Sequence, residues 1–367
     1  MELLYAGFVV LVLGLLVLDL GVFHRTPHVV GVKESLGWSA AWIGLGVGFA
    51  AVIYLGYDQR WLGLGTGIDT MTDAPVTAGG AVIYNDGGSA ALKYLTGYVV
   101  EKSLAVDNIF VVAMIFGSLG VPRLYQHRVL FWGIVGALVM RGAMIALGAV
   151  LIARFGWIMY VFGGFLILTG LKMLVGSGAA HDPTGGRVVR AVRRLVSVTE
   201  RFHAERFVVR AGSAASHAPA TPGAPSEPDR VVALARPGAW LITPLLLALI
   251  LVELTDVIFA VDSIPAIFAI TTDPFLVFTS NVFAMLGMRS LYFALAGMIE
   301  RFRYLKVSLS VVLVAIGAKM LAHGPLRAWL GDHVHLAMLA VIAAILGAGV
   351  LASLVIRRPV TVLEPAR

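Results

Sequence analysis

Apolar residues run along this chain in long blocks and do not alternate with polar ones at the two-residue or 3.6-residue period of half-buried elements. A helix that crosses a bilayer needs about 20 mostly apolar residues. Nine blocks meet that length: 3–23, 36–57, 90–118, 128–152, 156–175, 239–270, 274–298, 304–322 and 335–356. The pattern predicts an all-α polytopic membrane protein with about nine transmembrane helices. Composition agrees, with 59% apolar and 13% charged residues and a mean hydropathy of +0.89; soluble domains are about half apolar and a quarter charged. Such a chain is not an ordinary cytosolic enzyme, a disordered tail or a nucleic-acid binder. With no cysteine it is not a disulfide scaffold either. The first block does not read as a signal peptide, because Glu2 stands where a positive region belongs and no small-residue cleavage site precedes His24.

An odd number of spans puts the termini on opposite faces. One set of loops and the carboxyl tail hold nineteen Lys and Arg residues, nine of them between Arg187 and Arg236; the other set holds three, Arg60, Arg154 and Arg327. By the positive-inside rule the amino end lies outside and the carboxyl end in the cytoplasm. The long inner loop, 177–238, divides in two. Residues 187–210 have helical periodicity with an arginine-rich face, suited to a solvated loop or to the anionic inner leaflet. Residues 211–230 are rich in Ala, Pro and Ser and read as a mobile linker.

The chain also repeats itself. Glu101-Lys-Ser-Leu-Ala-Val-Asp107-Asn-Ile matches Asp256-Val-Ile-Phe-Ala-Val-Asp262-Ser-Ile, Met140-Arg141 matches Met288-Arg289, and Gly170-Leu-Lys-Met-Leu174 matches Gly317-Ala-Lys-Met-Leu321. Each copy covers three spans, an odd number, so the second must enter the membrane from the opposite side. A 3+3 inverted-topology repeat is a common plan of secondary transporters, whose sites lie near the midplane. A membrane-embedded enzyme can carry a duplicated fold too, so the repeat favours transport without proving it. The organisation expected is 1–89, two spans and an outer loop; 90–176, the first repeat; 177–238, basic helix and linker; 239–322, the second repeat; and 323–367, the last span and tail.

Five carboxylates lie within two spans: Glu101 and Asp107 in the third, Glu253, Asp256 and Asp262 in the sixth. Each costs about 2.5–3.5 kcal/mol at a helix centre exposed to lipid, so they must face a cavity, a counter-charge or an ion. Asn108 and Ser263 add neutral oxygens beside them. With no Cys, and no His in either span, sites for soft metals are poorly supported. Oxygen donors suit hard divalent cations (Mg²⁺, Ca²⁺ or Mn²⁺), and carboxylates also suit protons. Asp107 is six residues from Glu101, and Asp262 six from Asp256, so the members of each pair point apart unless the helix unwinds; Gly97 and Pro265 offer places for a break. Arg141 and Arg289 are possible counter-ions. Lys102 is placed to neutralise Glu101, Lys172 and Lys319 to snorkel, and Asp19 to sit at the interface.

YVVEKSLAVDNIFV (98–111), FGGFLILTGLKML (162–174), LILVELTDVIFAVDSIPAIFAITTDPF (249–275) and SNVFAMLGMRSLYF (280–293) resemble the TerC family, named for tellurium resistance, and its Alx-like branch in particular. The resemblance implies a multi-pass protein of the bacterial inner membrane that exports manganese. It also implies metal-binding roles for Glu101, Asp107, Glu253, Asp256 and Asp262, with Asn108 and Ser263 assisting. The expected partners are a divalent cation, protons and the bilayer, with no nucleic acid and no resident cofactor. The expected activity is transport and not catalysis. The alternative is a membrane partner protein that metalates or docks other proteins through the basic stretch 187–210.

Overall fold

The structure, a computed structural model, describes residues 2–21, 31–72, 75–78, 81–175, 196–213, 216, 219, 229–295, 303–322 and 334–355. Its helices are α1 (Glu2–Gly21), α2 (Val32–Asp58), α3 (Gly87–Leu119), α4 (Arg123–Arg154) and α5 (Ile158–Val175), then a short α6 (Arg230–Leu234). They continue as α7 (Pro244–Phe268), α8 (Pro274–Met285), α9 (Met288–Leu295), α10 (Arg303–Leu321) and α11 (Val334–Val355). Two antiparallel pairs of three-residue strands complete it: β1 (Val76–Ala78) with β2 (Ala81–Ile83), and β3 (Val208–Arg210) with β4 (Trp240–Ile242).

Among the described residues, α1, α2, α4, α5, α7, α10 and α11 are long and apolar enough to cross a membrane. The bent pair α8–α9 makes an eighth if it is one span. α3, the remaining block, has 33 residues and carries Lys93, Glu101, Lys102 and Asp107. The protein is a polytopic all-α membrane protein.

Local chemistry sets the helix ends. Asp86 and Ser89 form a reciprocal capping box at the start of α3, and Gly120 stops it in the left-handed region. Pro244 and Pro274 open α7 and α8, where their missing N–H groups cost nothing. α3 and α7 are continuous; neither Gly97 nor Pro265 breaks its helix. Gly97 instead allows close packing, since a Cβ there would lie 2.6 Å from Ile267 Cδ1. The break falls between α8 and α9, which meet at 41° through Gly287 at φ +77°. A Cβ on Gly287 would lie 2.5 Å from Trp42 Cβ, so glycine is required there twice over.

The helices of the two expected repeats exchange partners. α3 packs on α8 and α7 packs on α4, while α3 faces α7 and α5 faces α10. The α5–α10 contact is close enough that a Cβ on Gly170 would lie 2.7 Å from the Ser310 carbonyl oxygen, and one on Gly317 2.7 Å from that of Gly163. Small residues let helices approach in a bilayer, where packing contributes much of the association.

Two expectations for the 177–238 loop change. Of the stretch 187–210, residues 187–195 lie outside the described residues; 196–210 are not helical, and they end in β3. The sixth block opens with β4 and not with helix. Most of the 211–230 linker lies outside the described residues. Phe202 and Phe207 pack against the apolar cluster that contains Tyr125, Leu130 and Leu245. Arg128 holds the loop to α4 by pairing with Glu205 at 3.3 Å and stacking over Phe207.

Candidate functional site

α3 supplies Glu101, Asp107 and Asn108, α7 supplies Glu253, Asp256, Asp262 and Ser263, and α4 inserts Arg141 between them. Arg141 is buried, 2% exposed. Its Nε donates to Asp256 Oδ2 at 3.2 Å and its Nη2 to Asp256 Oδ1 at 3.1 Å, a two-pronged contact that fixes the guanidinium plane. Nη1 pairs with Glu101 and donates to Ser263 Oγ at 3.3 Å and Asn281 Oδ1 at 3.5 Å. Asn108 Nδ2 donates to Asp256 Oδ1 at 3.3 Å. Glu101 and Asp256, the first acids of the two matched motifs, thus share one cation.

The second acids meet elsewhere. Asp107 and Asp262, both half-buried, line one cavity with Asn108, Arg141, Phe259 and Ser263. Thr169 of α5 donates to Asp262 Oδ1 at 3.3 Å. A second cavity is lined by Asn108, Thr255, Asp256, Phe259, Arg289 and Tyr292, among others. Asn108 and Phe259 line both, so the Arg141–Asp256 pair stands at the partition between the cavities. Glu253 belongs to neither lining; its carboxylate lies against Gly136, where a Cβ would overlap it. The seven expected residues are therefore brought close but not into one cage. Among the described residues no group of three or more His, Asp or Glu side chains is placed to hold a metal ion.

Because α3 and α7 are continuous helices, the six-residue spacing does turn each pair's members to different faces. Lys306 bears on Asp107 and Lys172 on Asp262 through charge alone, and the remaining basic residues answer other groups. Arg289 pairs with Asp19 Oδ2 of α1 at 3.0 Å, so the half-buried Asp19 ties α1 to α9. Lys102 does not neutralise Glu101; its Nζ donates to the carbonyls of Ala284 and Leu286 at 3.0 Å each. Those carbonyls are freed by the α8–α9 break. Lys319 does not snorkel: it is buried and donates to the Ala269 carbonyl at 2.9 Å. Lys172 is exposed.

A further polar cluster escapes a reading of the sequence. Lys93 Nζ pairs with Asp69 Oδ2 at 2.9 Å and donates to Thr72 Oγ1 and Asn85 Oδ1 at 2.8 and 2.6 Å. Asp69 also accepts from Thr271 Oγ1 at 2.6 Å and Thr272 N at 2.9 Å. Asp273, beside it, accepts from Tyr57 OH at 2.9 Å and caps α8. The cluster joins the 61–85 segment to the start of α3 and to the α7–α8 connection. Burial pushes the Asp69 carboxyl up, but the Lys93 ammonium and the hydrogen bonds outweigh it and hold it well below the usual carboxylate range. Burial and the Asp69 charge push Asp273 the other way. The available signal was Lys93 itself, a lysine inside an apolar block facing an acid-rich loop.

The chain from residue 86 to residue 361 matches the model of the TerC integral membrane protein family. The chain belongs to the TerC family. An uncharacterized membrane protein of Myxococcus xanthus is 44% identical over 355 residues, 96% of this chain and 92% of the relative. A protein of Escherichia coli K12 named "Putative membrane-bound redox modulator Alx" is 42% identical over 338 residues, 90% of each chain. An uncharacterized membrane protein of Rickettsia bellii is 35% identical over 316 residues, 86% of this chain and 87% of its own. No solved structure matches the chain significantly.

Proposed function

We propose that this TerC protein exports a hard divalent cation, Mn²⁺, across the bacterial inner membrane by alternating access, with protons entering in exchange. The observation that carries the reading is the meeting of matched acids: Glu101 with Asp256 on Arg141, and Asp107 with Asp262 along one cavity. Carboxylate, amide and hydroxyl oxygens are the donor set hard cations prefer. Glu253, half-buried and close to the pair, is a candidate proton carrier. The exchange of helix partners between 87–175 and 244–321 supports an inverted repeat, because copies related by a twofold axis must pack that way. The choice of Mn²⁺ over Ca²⁺ or Mg²⁺ comes from the family resemblance.

Export runs against an inside-negative potential that opposes a divalent cation by about 4.6 kcal/mol per 100 mV. Proton entry supplies a driving force of the right sign, and protons can occupy carboxylates the metal has left. The name of the Escherichia coli relative, a redox modulator, does not point to thiol chemistry in this chain, which has no cysteine. A second reading, docking of partner proteins at the basic stretch 187–210, is favoured by the loop's anchoring through Arg128.

Inside-out vesicles loaded with a divalent-sensitive dye separate the two. The expected result is Mn²⁺ uptake that needs a pH gradient and falls at least tenfold in Asp262→Asn. Export fails as an explanation if correctly inserted protein moves no divalent ion, and partner docking then becomes the leading one.

A further inference from the structure

Resting on the cation-export reading, we propose that Arg141 is an internal competitor of the transported ion. It occupies the Glu101–Asp256 pair and leaves Asp107–Asp262 as the pair open to a divalent cation in this state.

The guanidinium contacts two carboxylates, one hydroxyl and one amide oxygen: Glu101, Asp256, Ser263 and Asn281. That is the ligand set a hard divalent ion would seek, and a fixed positive charge already stands in it. This competitor leaves the pair by movement of its side chain. Its surroundings leave part of the pair unsaturated. Glu101 Oε2 is buried without a hydrogen-bond donor among the described residues, on a side chain 2% exposed. A guanidinium offers its protons in one plane, whereas an ion of six or more ligands could engage that oxygen too. Arg141 also lines the Asp107–Asp262 cavity, so one cation stands within reach of both acid pairs. A divalent ion and Arg141 cannot share a pair without strong repulsion in so buried a place. Each pair is therefore available only when the guanidinium is at the other.

The prediction concerns stoichiometry, a readout that a merely structural arginine would not raise. Full-length protein in detergent is titrated with Mn²⁺, with free ion followed by electron paramagnetic resonance. The wild type should bind one ion per chain and Arg141→Gln two, and adding Asp256→Asn to Arg141→Gln should restore one. If Arg141→Gln does not yield monodisperse protein, Arg141→Met takes its place. It removes the charge and keeps much of the side-chain volume, so the second ion should bind there too. One ion in both wild type and the Arg141 variant overturns the inference alone, as does a second ion that survives Asp256→Asn. No Mn²⁺ bound by either chain overturns the export reading and the inference with it.

Discussion

Asp69 and Asp273 lie side by side at one end of the bundle, yet they stand in opposite relations to their surroundings. Asp69 faces an ammonium and several N–H and O–H donors; Asp273 faces the Asp69 charge and a tyrosine hydroxyl. Removing one partner of a buried ion pair is strongly destabilising, because the other charge is left uncompensated. Asp69→Asn should therefore lower stability by about 3 kcal/mol, read as a fall in the midpoint of thermal unfolding in detergent. Asp273→Asn should cost under about 1 kcal/mol, since asparagine caps a helix as well as aspartate does and the change removes a repulsion. The pH dependence follows from the directions of shift. With its folded value depressed, the Asp69 contribution is complete above the free carboxyl value of about 3.9 and is lost only as pH falls through the folded value. Asp273, with its folded value raised, contributes at low pH and loses that contribution as pH rises through the folded value. Equal midpoints for the two variants at neutral pH would show that Lys93 does not depend on Asp69.

At the scale of elements, glycines fix where helices meet and where one breaks. Gly170→Ala places a methyl 2.7 Å from the Ser310 carbonyl and should cost about 1–3 kcal/mol by overpacking. Gly164→Ala, on the same helix with nothing within 4 Å, should be neutral or stabilising because alanine favours helix. Gly287→Ala combines a left-handed backbone, worth about 1–2 kcal/mol, with a clash against Trp42. Thermal unfolding of the three variants should rank Gly164→Ala above the other two; a common midpoint would remove the packing argument. These elements also mark what the sequence makes legible. Spans can be read from apolar length, and the correspondence of motif acids between the two copies from internal matching, since both are patterns within the sequence; that corresponding acids meet in space cannot. The position of the break cannot be read so simply. Gly97 and Pro265 are the obvious helix breakers, yet α3 and α7 run through them as continuous helices, and the chain bends at Gly287, where Lys102 answers the freed carbonyls. Partner choice is equally non-local. Nothing in the spacing of Arg289 or Lys319 points to Asp19 or to the Ala269 carbonyl, because those contacts are made by helices distant in the chain.

Across the whole molecule, which end of the bundle faces the cytoplasm decides which groups guard entry and exit in the proposed transport, and the charge distribution predicts it. The Asp69–Lys93–Asp273 cluster lies at the end where α3 begins and α7 finishes, and β3, β4 and α6 lie at the end where α7 begins. The loop count in the sequence, nineteen basic residues against three, predicts that the polar cluster lies outside and the anchored loop inside. The absence of native cysteine makes this directly measurable, since every introduced thiol is the sole target of a maleimide. Val76 in β1 is 61% exposed and Leu234, at the end of α6, 88%. A membrane-impermeant maleimide applied to intact cells should label Val76→Cys, and should label Leu234→Cys only after the inner membrane is permeabilised. With that orientation, the polar cluster ties α3 and the 61–85 segment to the α7–α8 connection on the outer face. The opposite labelling would turn the bundle over. The polar cluster would then guard the cytoplasmic entrance, while proton entry would still drive the cation outward.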